Sequence, residues 1–370
     1  LVLQKNHLGQ KTNLLLKTFM VNQNNKNTFA ENINLALHKS MLKDKNMICY
    51  GLGINDPKAI FGTTSGLKKK FGNKRVFDVP TSENALTGIG VGAAISGIRT
   101  VITHQRLDFS LLSMDQIINS EAKWRYMFGG KVDVPLTIRM IVGKGWGQGP
   151  THSQSLTPMF CNVPGLKVVM PTFAEDAGRL LYKSIFDPNP VIFLEHRWLH
   201  GIKDKDILKK KPGKLTYSNV VKKGKDITIV SMSYLTLEAL KASKILEKYN
   251  IGCEIIDLVS LKPLNINKIV GSLKKTKRLL VLDTGFPFCS VASEIISQIM
   301  RKLYKGLISA PEIMTMPDIP EPTSYGLTKN ISIDYVKIVK KISKILNMKI
   351  KLKNTVKHHD VPDEYFKGPF

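Results

Sequence analysis

Val76-Phe-Asp78-Val-Pro80-Thr-Ser-Glu83-Asn-Ala-Leu-Thr-Gly88-Ile-Gly90-Val-Gly92-Ala-Ala94 reads as a strand, a turn and a helix in immediate succession. Residues 76–79 form the β-rich run, Pro80 turns the chain, and Thr81 or Ser82 can cap the helix. The small residues Gly88, Gly90, Gly92, Ala93 and Ala94 let another backbone or a flat ligand come close. Glu83 falls in the first helical turn, where the helix dipole favours a carboxylate, and an ordinary N-terminal acid accounts for it when it is read alone.

The same rhythm extends on both sides. Thr28-Phe-Ala-Glu31 has the form of a capping box, and Ile33, Leu35, Ala36, Met41 and Leu42 follow at helical spacing, so a first helix is predicted there. Short apolar runs at 47–50, 76–79, 100–103, 136–142, 168–170 and 191–194 alternate with helix-length segments. Strands apolar on both faces and separated in this way describe a parallel sheet covered by helices. The fold class is α/β with two domains of parallel or mixed sheet covered by helices, the first over 29–200 and the second over 226–348, joined by a Lys-rich linker at 201–225. In the second domain the predicted strands are 227–232, 254–258 and 279–282, the helices are 235–249, 291–303 and 333–346, and 318–322 is a Pro-broken loop. Residues 1–28 and 349–370 read as tails and carry no assigned function.

Composition narrows the function classes. With 370 residues, 43% hydrophobic and 23% charged, the chain can bury two ordinary cores, which excludes disorder and fibrous repeats. Its longest apolar or small run, 88–98, is about half of the ~18 residues a bilayer crossing needs, and no leader-like series opens the chain, so a protein of the cell interior without a membrane span is expected. The net charge of +26 would suit a nucleic-acid partner, but only nine of the 55 basic residues are Arg. A nucleic-acid reader would use Arg forks and exposed aromatics, so the Lys excess is read instead as codon bias and solvated faces, as at 68–70, 209–211 and 274–277. Cys49, Cys161, Cys253 and Cys289 are far apart without a CxxC, which indicates neither a disulfide framework nor a zinc site. Buried free thiols in a reducing compartment, cytoplasmic or similar, are expected.

A second segment, Ile141-Val-Gly143-Lys-Gly145-Trp-Gly147-Gln-Gly149-Pro-Thr-His152-Ser-Gln154, is a Gly-rich loop at a strand end that closes on a histidine. Neither GxxxxGK[ST] nor GxGxxG occurs in it, so it is not a phosphate cradle of the usual kinds. A histidine presented by such a loop is well placed to handle protons.

These two segments, in this order, resemble the beta subunit of thiamine-diphosphate-dependent 2-oxo acid dehydrogenases of the pyruvate and branched-chain type. The likeness continues through Met114-Asp-Gln-Ile-Ile-Asn119, Lys123-Trp-Arg-Tyr-Met-Phe-Gly-Gly130, Thr151-His-Ser-Gln154 and Pro164-Gly-Leu-Lys-Val-Val-Met-Pro171. Glu175-Asp-Ala177 and Asn189-Pro-Val-Ile-Phe-Leu-Glu195 extend it, and it covers about residues 30–346. The fold implied is a transketolase-like pyrimidine-binding domain followed by a transketolase C-terminal-like domain.

The resemblance implies specific roles. Glu83 occupies the position of the glutamate that hydrogen-bonds the cofactor's aminopyrimidine, Phe109 that of an aromatic packed against this ring, and Gln105 that of a nearby side chain. His152 matches the active-site histidine expected to hold the substrate or lipoyl group and to move protons during acyl transfer. In branched-chain members potassium lies between the segment matching Leu136-Thr137 and the loop matching Ser184, Asp187 and Asn189; a plain strand-to-loop contact is the competing reading. The family's GDG motif for the cofactor's diphosphate and magnesium is absent from this sequence. The implied partner is therefore an alpha subunit holding the magnesium, in an α2β2 heterotetramer with thiamine diphosphate between chains, serving a lipoyl-bearing acyltransferase.

One segment departs from the family. Thr103-His-Gln-Arg-Leu-Asp-Phe109 stands where pyruvate enzymes carry a more apolar, aromatic run, so His104 or Arg106 is expected to contact a polar 2-oxo acid or a diketone such as acetoin. The alternatives are half of a split transketolase or an acetoin dehydrogenase and, from another class, a basic scaffold or nucleic-acid-associated subunit.

Overall fold

The computed structural model describes residues 27–145, 147–203, 215 and 217–352. Most of the two expected tails, much of the expected linker with its 209–211 Lys run, and Trp146 lie outside the described residues.

The first sheet contains β1 (Ile48–Gly51), β2 (Val76–Phe77), β3 (Thr100–His104), β4 (Leu136–Val142), β5 (Lys167–Val169) and β6 (Val191–His196). The second contains β7 (Asn219–Lys222), β8 (Ile227–Ser231), β9 (Cys253–Asp257), β11 (Leu279–Leu282) and β12 (Glu312–Met314), whereas β10 (Ser260–Lys262) joins the first. Their orders are β10-β5-β6-β4-β3-β1-β2 and β12-β11-β8-β9-β7. All neighbours are parallel except β10 with β5 and β7 with β9. Every residue of β4 is buried, as expected where helices cover both faces of a parallel sheet.

The predicted capping box forms. Thr28 Oγ1 accepts from Glu31 N at 3.2 Å, and Glu31 Oε2 accepts from Thr28 N at 2.6 Å, opening the helix Phe29–Lys43. That helix packs against Ala174–Ile185, where a Cβ on Gly178 would lie 2.7 Å from Asn32 O. The cap expected at the start of Glu83–Ile95 does not form: Ser82 is the N-cap residue, yet its side chain makes no capping bond. The small residues of this helix serve two faces. A Cβ on Gly90 would lie 2.7 Å from Tyr50 Oη, whose hydroxyl donates to Leu86 O, whereas a Cβ on Gly92 would meet none of the described residues within 4 Å.

The sequence reading names no strand at β7, β10 or β12. Each has four residues or fewer and sits at a sheet edge or joins two domains, and so carries little periodicity. Asn219–Lys222 belongs to the second sheet rather than to a connecting segment. Cys49 and Cys253 are buried and Cys161 partly so, all free, but Cys289 is exposed, unlike the buried thiols expected. Burial pushes Cys49 up to about 11 and Cys161 and Cys253 up to about 12, so these three thiols stay protonated.

A buried acid interrupts the first domain. Glu121 ends the wide turn Gln116–Glu121, is 0% exposed, and neither carboxylate oxygen has a hydrogen-bond partner among the described residues. Burial raises its carboxyl well above the ordinary range. Folding therefore takes up a proton once the pH exceeds the unfolded value, and stability falls by about 1.4 kcal/mol per pH unit until the folded value is reached. Glu121→Gln is expected to raise the melting temperature at pH 8 and to have almost no effect at pH 4. Equal shifts at both would show that the carboxyl has found a partner.

Candidate active site

In parallel sheets ligands gather beyond the carboxyl ends of the strands, and here that edge carries a cavity of about 290 Å³. Three connections line it. The segment after β1 gives Asp56, Lys58, Ile60 and Phe61; the residues after β3 give Gln105, Arg106 and Phe109; and the Gly-rich loop after β4 gives Gln148 and His152.

The first wall is strained. Ala59, Ile60 and Phe61 hold φ of 46°, 45° and 57°, a left-handed turn of non-glycine residues that the surroundings must enforce. Asp78 pins its start, with Oδ1 and Oδ2 each accepting at 3.1 Å from the backbone of Ile54 and Asn55. Gln105 Nε2 donates to Leu52 O at 2.8 Å, and it lies so close over Gly53 that only glycine fits there.

The second wall is fixed by hydrogen bonds. Arg106 is buried; Nη1 donates to Gly143 O at 3.3 Å and Nη2 to Gln148 Oε1. Burial pushes its guanidinium below the ordinary value, with Asp108 opposing. The Asp108 Oδ1 accepts from Gln154 N and Nε2 at 3.2 and 2.9 Å, tying the end of the Gly-rich loop to the segment carrying Phe109. Phe109 meets His152 edge to face, ring centroids 5.3 Å apart, and His152 Nδ1 lies 2.9 Å from Thr151 Oγ1.

The second domain clasps this loop from outside. Lys144 Nζ lies 3.5 Å from Glu321 Oε1, both residues buried, and Trp198 Nε1 donates to Lys144 O at 2.9 Å. A Cβ on Gly149 would lie 2.5 Å from Thr323 Oγ1. The loop that carries His152 thus meets residues of both domains.

Gln105, Arg106, Phe109 and His152 come together as one lining; Glu83 and His104 do not line it. Glu83 begins the helix Glu83–Ile95, which packs on the short helix Leu107–Ser113 bearing Phe109, and its carbonyl accepts from Ser113 Oγ at 2.8 Å. Its side chain is 5% exposed, and no hydrogen bond from the described residues reaches its carboxylate. His104 is buried with Nε2 unpartnered, and burial pushes it down to about 4, so it is neutral and offers a substrate no cation. Of the two substrate-side candidates only Arg106 lines the cavity.

The remaining candidates sit at the opposite edge of the sheet, where β4 begins. Asp187 is already engaged: Lys167 Nζ contacts its two oxygens at 2.7 and 2.6 Å, and Oδ1 accepts from Asn189 N and Nδ2. Ser184 Oγ donates to Leu180 O at 2.8 Å. Leu136 is buried beside Thr137, and Thr137 Oγ1 is buried without a partner among the described residues. The sequence reading missed Asp56, Lys58, Ile60, Phe61 and Gln148 as lining residues. Their signal was available: Gly51, Gly53, Pro57 and Gly62 mark a long connection after a strand, where sites form.

Residues 25–201 match the transketolase pyrimidine-binding domain and residues 216–338 the transketolase C-terminal domain. The chain is 36% identical over 318 residues to the pyruvate dehydrogenase E1 component subunit beta of Rickettsia bellii, covering 85% of this chain and 98% of that protein. It is 37% identical to the acetoin:2,6-dichlorophenolindophenol oxidoreductase subunit beta of Cupriavidus necator, covering 79% and 89%. A mitochondrial pyruvate dehydrogenase E1 subunit beta-1 of Arabidopsis thaliana is 35% identical over 82% of this chain and 84% of that one. Among solved structures, a split-gene transketolase described as an inactive beta4 tetramer superposes with a TM-score of 0.70 at 18% identity, covering 88% of this chain and all of that one, which speaks for the fold. Among the described residues no helix is long and apolar enough to cross a membrane. A transketolase pyrimidine-binding domain, a transketolase C-terminal domain and identity along most of the chain show that it belongs to the E1 beta-subunit family of thiamine-diphosphate-dependent, pyruvate dehydrogenase-like oxidoreductases.

Proposed function

We propose that this chain is the pyrimidine-side half of a 2-oxo acid dehydrogenase site, completed by an alpha subunit in an α2β2 assembly that passes its acyl group to a lipoyl-bearing acyltransferase. The observation carrying this is Glu83, a residue only 5% exposed whose carboxylate takes no hydrogen bond from the described residues, on a helix packed against the segment that brings Phe109 to His152. A carboxylate that no donor of the fold engages is open to a donor from a ligand, so the site fits the aminopyrimidine of thiamine diphosphate.

Glu83 would hold a ring nitrogen of that group, with Phe109 against its face and Gln105 at its edge. When bound, thiamine diphosphate supplies the sink for the electron pair released as carbon dioxide leaves. His152, set by Phe109 and Thr151, would hold the substrate or lipoyl group and move a proton during acyl transfer. The partner surface is read from exposed apolar side chains beside this helix and its neighbour: Ile89 and Leu112 are each 65% exposed and Tyr126 is 90% exposed. With Gly92 open to close approach, they suit a second chain that brings the diphosphate and magnesium ligands. The free thiols suit a reducing compartment such as the cytoplasm.

Potassium is proposed where β4 begins, in a modified form. With Asp187 neutralised by Lys167, the ligand set is the Thr137 hydroxyl with neutral oxygens, which suits a weakly charged cation over a divalent one. Potassium chloride is expected to raise the melting temperature above that in equimolar sodium chloride, and Thr137→Val to remove the difference. Identical melting in both salts would leave the strand-to-loop contact as the whole account.

Titrating thiamine diphosphate and magnesium into the chain alone and into the co-expressed pair tests the shared site. Binding by the pair only is expected; tight binding by the chain alone, or by neither, contradicts it.

A further inference from the structure

The cavity holds more positive charge than loss of a simple 2-oxo acid's carboxylate requires. Arg106 is fixed by its bonds to Gly143 O and Gln148 Oε1, which leaves three of its five N–H groups without a hydrogen-bond partner among the described residues. Lys58 lines the same space from the segment after β1. Against these cations stand Asp56 on the lining and Asp108, which is engaged by Gln154. Two cations, Arg106 and Lys58, facing one space with Asp56 as the acid on its lining favour an anion between them.

The carboxylate that departs as carbon dioxide is not that anion. It gives up its charge in the transition state, so a cation fixed on it would stabilise the ground state more and slow the step. A fixed guanidinium suits an anionic group that the substrate keeps.

We infer that the substrate is a 2-oxo acid bearing a second anionic group, a carboxylate or a phosphate, at the end remote from the carbonyl, held by Arg106 and Lys58; this rests on the decarboxylating reading above. Asp56 then limits how far the anion can slide toward the cavity mouth, and Gln148 keeps the guanidinium turned to the cavity.

The test uses the assembled pair loaded with its cofactor and measures kcat/KM for pyruvate and 2-oxobutyrate, with neutral tails, against 2-oxoglutarate and 3-phosphohydroxypyruvate. At least one doubly charged acid should exceed both neutral-tailed acids by about 10- to 100-fold, the worth of a charge-assisted contact. The carboxylate and phosphate arms decide between the two sources of the anion. In Arg106→Gln the ratio of the doubly charged acid to pyruvate should collapse by a similar factor, chiefly through KM. Because Lys58 is exposed, Lys58→Gln keeps the fold and should lower the same ratio by about threefold, less at high salt. Turnover of pyruvate with no preference for a doubly charged acid, or a ratio unchanged in Lys58→Gln and Arg106→Gln, overturns the inference while sparing the decarboxylating reading. Cleavage of ketols or diketones with no 2-oxo acid consumed overturns both.

Discussion

Replacing Glu83 by Gln lowers kcat of the assembled enzyme by about 10²- to 10⁴-fold, the usual worth of a positioned acid-base group, and leaves the chain folded. The second half of that expectation comes from the structure. The Glu83 carboxylate makes no hydrogen bond with the described residues, and the link that ties the helix start down, Ser113 Oγ to Glu83 O at 2.8 Å, uses the backbone and survives the substitution. What the fold loses is the attraction between a carboxylate and a helix N-terminus, about 0.3–1 kcal/mol. Gln has the same shape and can still meet a ring nitrogen, but it cannot carry the charge. Circular dichroism melting alongside single-turnover kinetics separates the two effects. A melting temperature that falls in step with activity would make Glu83 a structural residue and remove the main support for the cofactor site.

Arg139→Met is expected to be the most destabilising single change, about 3–5 kcal/mol. Arg139 and Glu195 are both 0% exposed, and the guanidinium donates to the two carboxylate oxygens from Nε at 2.5 Å and Nη2 at 2.9 Å. Nη1 also donates to Thr103 Oγ1 at 3.3 Å, so one side chain joins β3, β4 and β6 under the cavity. Burial pushes the Glu195 carboxyl up, but Arg139 and then His200, whose Nε2 lies 3.3 Å from Oε2, outweigh it and hold the group below its ordinary value. The wild-type pair therefore stabilises the fold at neutral pH and loses that contribution as pH falls through the folded carboxyl value. In Arg139→Met the balance reverses: burial raises the carboxyl, and the variant loses stability as pH rises. The gap in melting temperature between the two proteins should be wide at pH 8 and narrow at pH 4. Adding Glu195→Leu should recover much of it, since two apolar side chains need no partner. A constant gap at every pH would show that lost packing, rather than the stranded charge, dominates.

Reading the sequence from Val76 to Ala94 yields the fold class because local chemistry and global topology agree there. The strand Val76–Phe77 passes through the turn at Pro80 to a helix that opens at Glu83, and Gly90 on that helix meets Tyr50 and Ile102 inside. The buried strands of the first domain and the Thr28–Glu31 cap are legible for the same reason. β10 is not, because its place in the first sheet is decided by long-range pairing of Ser260 with Val169, which no local pattern encodes. At the site, His152 and Phe109 stand out through motif spacing, and the structure joins them. His104 misleads because its residue type suggests a proton carrier, whereas a position at the buried end of β3 makes it a neutral core residue. Lys58 and Phe61 are invisible to periodicity. They reach the cavity through a left-handed turn at 59–61, a conformation that Ala, Ile and Phe do not advertise.

The Lys excess has a plain physical reading in the same terms. Lys167, Lys144 and Lys275 close specific carboxylates, on Asp187, Glu321 and Glu254, while Lys68, Lys69 and Lys70 lie together on a short helix with exposed side chains.

The most direct measurement is reductive acylation: the chain, its alpha-type partner, thiamine diphosphate and magnesium are mixed with a 2-oxo acid and a lipoyl-bearing domain, and acyl-lipoyl formation is followed with carbon dioxide release. The account predicts one acyl-lipoyl per carbon dioxide, with both chains required and Glu83→Gln inactive. Transfer of a two-carbon ketol unit between sugar phosphates, with no carbon dioxide and no dependence on the lipoyl domain, would contradict it.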